Sequence, residues 1–180
     1  FFVSPTQINF QVPWELSDQP QASLTVTVGG VAGAPATVSL SRFALGVFST
    51  NQAGSGQGAI LISETGEVAA ASGTIPGRAA RPARRGEFIS IFCAGLGAVA
   101  NQPASGSAAS SDPLSVTTVS PSVTMGGIPA EVTFSGLAPG FVGLYQVNAR
   151  VPTGAPAGNA VPLAISIAGA SSNTVSLAVQ

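Results

Sequence analysis

Few residues of this 180-residue chain could carry out acid–base or nucleophilic chemistry. The chain has no histidine, its six cations are all arginines, and it has one cysteine. This composition excludes Ser-His-Asp triads, Cys-His pairs, imidazole zinc sites and lysine Schiff bases. The seven carboxylates are Glu15, Asp18, Glu64, Glu67, Glu87, Asp112 and Glu131. They are scattered, and no stretch has the ligand density of a calcium loop. We therefore expect a protein that is not an enzyme and that uses no cofactor or metal.

The single cysteine, Cys93, lies in the apolar stretch "EFISIFCAGLG". One cysteine cannot form an intramolecular disulfide or a multi-cysteine metal site. We expect Cys93 to be a small buried hydrophobe. A reactive thiol or an intermolecular disulfide is the alternative.

Four arginines lie close together in the stretch "GRAARPARRGE". They are Arg78, Arg81, Arg84 and Arg85. The Pro and Gly residues of this stretch predict a loop before the strand "EFISIF". A solvated basic loop is the simpler interpretation. The alternative is a ligand loop that binds an acidic patch or an anionic polysaccharide through paired guanidinium hydrogen bonds to carboxylates.

The composition limits the classes of partner. Only 7% of the residues are charged, against about 25% in an average soluble domain. No face can carry the clustered cations that nucleic-acid binding needs, and no apolar run approaches the roughly 20 residues of a membrane span. The absence of lysine and the excess of small residues favour an extracellular or cell-surface bacterial protein. The start "FFVSPTQ", without Met, is interpreted as a processed or truncated end.

Short β-type runs separated by Gly and Pro predict an all-β protein. In "SLTVTVGG" and "PLAISIAG", apolar and small polar residues alternate, as in a half-buried strand that ends in a turn. Further candidate strands are 36–41, 58–63, 87–94, 122–127, 130–136 and 174–180. Strands at this spacing predict immunoglobulin-like β-sandwiches.

The stretch "QINFQVP" (7–13) is repeated as "QVNARVP" (146–152). Setting Gln7 on Gln146 gives an offset of 139 residues, which also aligns Leu24 with Leu163 and Gly30 with Gly169. A slip of two residues then aligns the two "TVSL" stretches, 37–40 and 174–177. Such a repeat predicts tandem immunoglobulin-like domains. We expect a partial domain at 1–43, without its opening strands, and a complete one at 44–180.

Apolar and amide side chains alternate in the first copy of the repeat. The apolar row is Ile8, Phe10 and Val12, and the amide row is Gln7, Asn9 and Gln11. We expect the amides to form a solvated sheet face. The alternative is that they bind a glycan or a neighbouring subunit.

A half sandwich cannot cover its own core and leaves open sheet edges that can pair with other strands. The missing strands could come from upstream sequence, from the same chain or from a neighbouring molecule. The residues expected at a contact between subunits are Phe1, Phe2, Val3, Ile8, Phe10, Val12, Val175, Leu177 and Val179.

Three long stretches resemble a known family: "SPTQINFQVP" (4–13), "RRGEFISIFCAGLGAV" (84–99) and "LAPGFVGLYQVNARVP" (137–152). The family is the uncharacterised C-terminal domain of secreted proteins from Solibacter-type Acidobacteria. The resemblance implies an immunoglobulin-like or IPT-like sandwich and export, and it implies no catalytic residues. Cys93 departs from the small or hydroxylic residue expected at its position.

The leading functional hypothesis is a structural protein. It is a subunit that assembles with itself into a surface filament or layer by strand complementation. The alternative is a non-catalytic adhesion or carbohydrate-associated module of a larger secreted protein, which could bind a glycan or another surface protein. In that case the loops 51–58, 78–86 and 101–112 would carry specificity. Trp14 and Tyr145 could then stack on a sugar, although we expect each to pack at a domain edge.

Overall fold

Strands account for nearly all of the regular structure in the computed structural model, which describes residues 2–180. Within this range the chain forms 17 β-strands and one short 3₁₀ helix, Trp14–Leu16. The all-β prediction is therefore confirmed. Phe1, a predicted contact residue, lies outside the described residues.

The strands fall into a short N-terminal set and a larger C-terminal set. The N-terminal strands are β1 (Phe2–Val3), β2 (Ile8–Asn9), β3 (Gln21–Leu24), β4 (Thr27–Val28), β5 (Val31–Ala32) and β6 (Ala36–Ser39). The C-terminal strands are β7 (Gly46–Val47), β8 (Ile60–Ile62), β9 (Val68–Ala69), β10 (Ala80–Arg81), β11 (Phe88–Ala94), β12 (Ser122–Met125), β13 (Ile128–Leu137), β14 (Tyr145–Arg150), β15 (Gly158–Ile167), β16 (Ala170–Ser171) and β17 (Val175–Val179).

All 11 C-terminal strands belong to one curled sheet, with the order β10-β9-β8-β11-β14-β13-β12-β15-β16. In addition, β7 pairs with β11 and β17 pairs with β15. The long strand β13 links the two halves of the sheet, because its first residues pair with β12 and its later residues pair with β14. A register shift between Val132 and Phe134 marks a β-bulge or irregularity in this strand, and a bulge lets a strand bend.

The curl encloses one hydrophobic core. Ile89 and Ile91 on β11 and Val147 on β14 contribute from one half of the sheet. Leu163 on β15 and Leu177 on β17 contribute from the other half. In β14 and in the second half of β15 every second side chain is buried, as their alternating sequences predict.

Strand β17 lies at the seam of the curl. Its Ala178 carbonyl accepts a hydrogen bond from the Ala83 N–H (2.9 Å), and its Ser176 carbonyl accepts one from the Gly58 N–H (2.8 Å). The side chains of Val175, Leu177 and Val179 are buried in their own chain. This corrects the expectation that these three residues are available to a second subunit, because a side chain without exposed surface cannot contact one.

The N-terminal strands form three separate antiparallel pairs, β1–β2, β3–β6 and β4–β5. The stretch "SLTVTVGG" is split between β3 and β4, where the alternation predicted one continuous strand. No residue from 2 to 43 is buried. This part of the chain therefore has strand pairing but no core of its own.

Strand pairing preserves the sequence repeat at the offset of 139 residues. In β4–β5, Val28 lies opposite Val31, and in β15–β16 the equivalent Ile167 lies opposite Ala170. In β3–β6, Leu24 lies opposite Ala36, as the equivalent Leu163 lies opposite Val175. The two-residue slip inferred from "TVSL" is not needed in the structure, because the strand pairs keep the constant offset.

We predict that Leu163→Ala lowers the free energy of unfolding by about 2–5 kcal/mol, because it leaves a cavity in a closed core. The matched variant Leu24→Ala, at the equivalent and only half-buried position, should cost about 1 kcal/mol or less. Urea denaturation in dilute solution measures both changes. Equal losses would show that Leu24 is enclosed as fully as Leu163.

Candidate self-association surface

The apolar row of the first repeat is exposed where the same row of the second repeat is buried. Ile8, Phe10 and Val12 expose 42%, 52% and 47% of their surface. Their equivalents are Val147, Ala149 and Val151, each with 0% exposed.

The following strands show the same contrast. Val26 and Val28 are 42% and 75% exposed, whereas their equivalents Ile165 and Ile167 are 1% and 2% exposed. The side chains that build a core in the second repeat are thus present in the first repeat without a cover.

The amide row has a structural role that both repeats share. The Gln7 Nε2 donates a hydrogen bond to the Asn9 Oδ1 at 2.7 Å. The Gln146 Nε2 donates the equivalent bond to the Asn148 Oδ1 at 2.8 Å. The predicted solvated amide face therefore includes a local side-chain pair, and a bound glycan is not needed to explain the repeated Gln-x-Asn spacing.

One edge of β2 has no partner strand among residues 2–180. In the second repeat, β14 pairs on both sides, with β11 and with β13. In the first repeat, β2 pairs only with β1, where Asn9 lies opposite Phe2. The other edge of β2 offers unpaired backbone groups, which favour pairing with a further strand.

A groove of about 860 Å³ runs beside this strand. One wall is formed by consecutive residues, 7–11, together with Phe2. The remaining lining comes from Val47, Phe48, Ser49, Gln52, Gly54, Ala94 and residues 142–144. None of these lining residues is charged, so the groove suits an extended apolar segment rather than an ionic ligand.

The loop predicted at 101–112 anchors the N-terminal segment beside this groove. The backbone N–H of Trp14 donates to the Ser105 Oγ at 2.9 Å. The Ser105 hydroxyl donates to the Glu15 carboxylate at 2.7 Å. This hydrogen bond lowers the pKa of Glu15. The Gly106 N–H donates to the Gln11 Oε1 at 2.8 Å. These contacts hold residues 11–15 against the C-terminal sheet.

The two aromatic residues considered for sugar stacking in the alternative hypothesis both pack against the protein. Tyr145 is buried, its hydroxyl donates to the Gly97 carbonyl, and burial raises its pKa. Trp14 is partly buried and packs against the core. Its indole nitrogen is enclosed and has no hydrogen-bond partner among the described residues. Neither ring offers the open face that saccharide stacking needs.

The four arginines of the predicted loop 78–86 differ in their surroundings: Arg81 forms ion pairs, and the other three are exposed. Arg81 lies on β10 and bonds to the Glu67 carboxylate at 2.9 Å and to both oxygens of Glu87 at 2.9 and 3.0 Å. Arg81 is thus committed to holding its own loop, which corrects its assignment to a ligand loop. The side chain of Arg85 donates to the Ala155 carbonyl at 2.8 Å. Arg78 and Arg84 lie on the exposed surface.

The Arg81 pair fixes the charge states of this loop. The hydrogen bonds from Arg81 lower the pKa of Glu87, and the Arg84 backbone N–H strengthens this effect by donating to the same carboxylate. The Glu87 hydrogen bonds in turn raise the pKa of Arg81.

Comparison with family models, curated proteins and solved structures finds no match for this chain. The resemblance to the Solibacter-type domain family therefore stays a prediction. Among residues 2–180 no three metal-binding side chains come together, and no helix in this range has the length and apolarity to cross a membrane.

We predict that Cys93 resists alkylation in the folded protein. Burial raises the pKa of this thiol from its ordinary 9.0 to about 12, so the reactive thiolate at pH 8 falls about 1,000-fold. Mass spectrometry after iodoacetamide treatment, with the urea-unfolded chain as control, measures the difference. Rapid labelling of the native protein would favour the reactive-thiol interpretation.

We predict that Glu87→Gln lowers the free energy of unfolding at pH 7 by about 1–2 kcal/mol, because it removes charge-assisted hydrogen bonds to Arg81. The pKa of Glu87 is depressed below its ordinary 4.5 by folding. Its contribution is therefore fully present above pH 4.5 and is lost as the pH falls through the lower folded value. Urea denaturation between pH 7 and pH 3 checks this.

The matched control for this variant is Glu64→Gln, which changes an exposed turn carboxylate. It should leave the stability and its pH dependence close to those of the wild type. If Glu87→Gln and the wild type lost the same stability on acidification, the Arg81 pair would not be the acid-sensitive contact.

Proposed function

We propose that the protein is an extracellular structural subunit that assembles with copies of itself into a surface filament or layer. The first repeat is the assembling part. The observation that carries this proposal is the contrast between Phe10, 52% exposed, and its equivalent Ala149, fully buried. The apolar side chains that build the core in the second repeat are exposed in the first repeat, so a neighbouring copy could bury them.

The N-terminal part of the chain exposes many apolar side chains. Eight apolar side chains of the first repeat expose between 42% and 75% of their surface: Phe2, Val3, Ile8, Phe10, Val12, Val26, Val28 and Val31. Together they expose on the order of 800 Å², which is what one partner contributes to a standard protein interface.

The N-terminal segment has no electrostatic protection against edge pairing. Residues 1–14 contain no charged side chain. Proteins that keep their edge strands apart usually place lysines or other charges on them. The absence of such charges beside an open strand supports self-association.

In this proposal residues 44–180 form a complete immunoglobulin-like unit, and the partial unit 1–43 is completed when a neighbour covers it. Chain composition supports an extracellular location, since lysine is absent and charge is scarce. The glycan-binding alternative is less well supported, because Tyr145 is buried and Arg81 is paired within the chain.

We predict that the wild-type chain sediments as concentration-dependent oligomers and that Phe10→Asp weakens this association by at least about 10-fold, since a charge would enter an apolar contact. Phe88→Asp is the matched control, because Phe88 is 39% exposed but lies on β11, outside the first repeat and outside the lining of the groove. Sedimentation velocity gives the size distribution, and electron microscopy of the same samples detects filaments. A wild-type monomer at high concentration would contradict the proposal.

A further inference from the structure

The unpaired edge of β2 is the most specific feature of the self-association surface. We propose that β2 pairs antiparallel with β2 of a second copy, about a two-fold axis that passes through Asn9. This inference rests on the proposed function and names its contact. It makes β1-β2 and the partner's equivalent pair into one four-stranded sheet.

The second repeat shows that the strand at this position accepts neighbours on both sides. Its Asn148 lies opposite Ser90 on β11 and opposite Phe134 on β13. The equivalent Asn9 has only Phe2 opposite it. One edge of β2 therefore has no neighbouring strand. The backbone N–H and C=O groups on that edge would be hydrogen-bonded in a new antiparallel pair.

The sequence 7–11 is self-complementary in this register. A two-fold axis at Asn9 places Ile8 opposite Phe10 of the second copy, and it places Gln7 opposite Gln11. Apolar residues thus meet apolar residues and amides meet amides. A slip of one residue would place the apolar row against the amide row, so side-chain polarity selects this pairing.

The groove beside β2 offers room for the incoming strand. Its volume of about 860 Å³ lies within the range of roughly 300–1,000 Å³ found for ligand pockets. The opposite wall carries Phe48, which is 47% exposed. The apolar side chains of the partner strand can pack against this ring, and no charged side chain of the lining has to be desolvated.

A single two-fold contact gives a closed dimer, so a filament needs a second contact. The β4–β5 hairpin provides a separate apolar surface, because Val28 and Val31 at its tip are 75% and 74% exposed. The pairing through β2 is thus one of the two contacts that a filament needs.

Cysteine crosslinking tests the pairing at the symmetry axis. Residues opposite each other in an antiparallel pair have Cα atoms about 4.5–5.5 Å apart, which a disulfide can bridge. Asn9→Cys should therefore form disulfide-linked dimers under mild oxidation. Thr65→Cys, in an exposed turn, and the wild type, whose Cys93 is buried, should stay uncrosslinked.

A mixing experiment tests the register. Ile8→Cys and Phe10→Cys should form mixed disulfide dimers when combined, and each alone should form at least about 10-fold fewer, because neither lies opposite itself. If each variant crosslinked equally well alone, the register at Asn9 would be wrong.

The outcomes separate this inference from the proposed function. If the wild type forms oligomers by sedimentation but neither Asn9→Cys nor the mixture crosslinks, then the β2 pairing is wrong while self-assembly remains. If the wild type stays monomeric and Asn9→Cys fails to crosslink, both are wrong. Crosslinking of Asn9→Cys, together with mixed dimers of Ile8→Cys and Phe10→Cys, supports the inference.

Discussion

This structure depends on one constraint: each apolar sheet face has to be buried under another layer. An alternating strand has one apolar side, and that side is stable only when another layer removes it from water. In the second repeat the sheet curls around its own core, and the seam is closed by hydrogen bonds from Gly58 and Ala83 to β17. The core of that part is thus covered within the chain.

The first repeat contains the same alternating rows but no layer to cover them. Its strand pairs keep the register of the second repeat, and its Gln7–Asn9 amide pair matches Gln146–Asn148. Local sequence therefore gives the same register in both copies, although the strands of the first copy are shorter. What differs is the tertiary environment, since Val147 is buried while its equivalent Ile8 is 42% exposed. The function proposed for this chain follows from that difference.

The sequence predicted the features that depend on short-range patterns. The all-β content, the β15 and β17 strands and the repeat offset are all visible as alternation and as paired motifs. It could not predict the features set by contacts between residues distant in the chain. Arg81 has the composition and spacing of a surface loop, and only the fold brings Glu67 and Glu87 to its guanidinium. Tyr145 and Leu177 belong to alternating strands, so the sequence predicts an apolar side for each strand, but only the curl of the sheet encloses that side in the chain's own core.

Hydrogen exchange at several protein concentrations tests the central claim most directly, since it reports whether the backbone of residues 7–12 acquires bonds from another copy. Peptides covering β14 should be protected at every concentration, because β14 is paired on both sides within the chain. The account predicts that peptides covering residues 7–12 exchange rapidly in dilute solution and become protected as the concentration rises. Rapid exchange of these peptides at all concentrations, in a sample that forms oligomers, would contradict it.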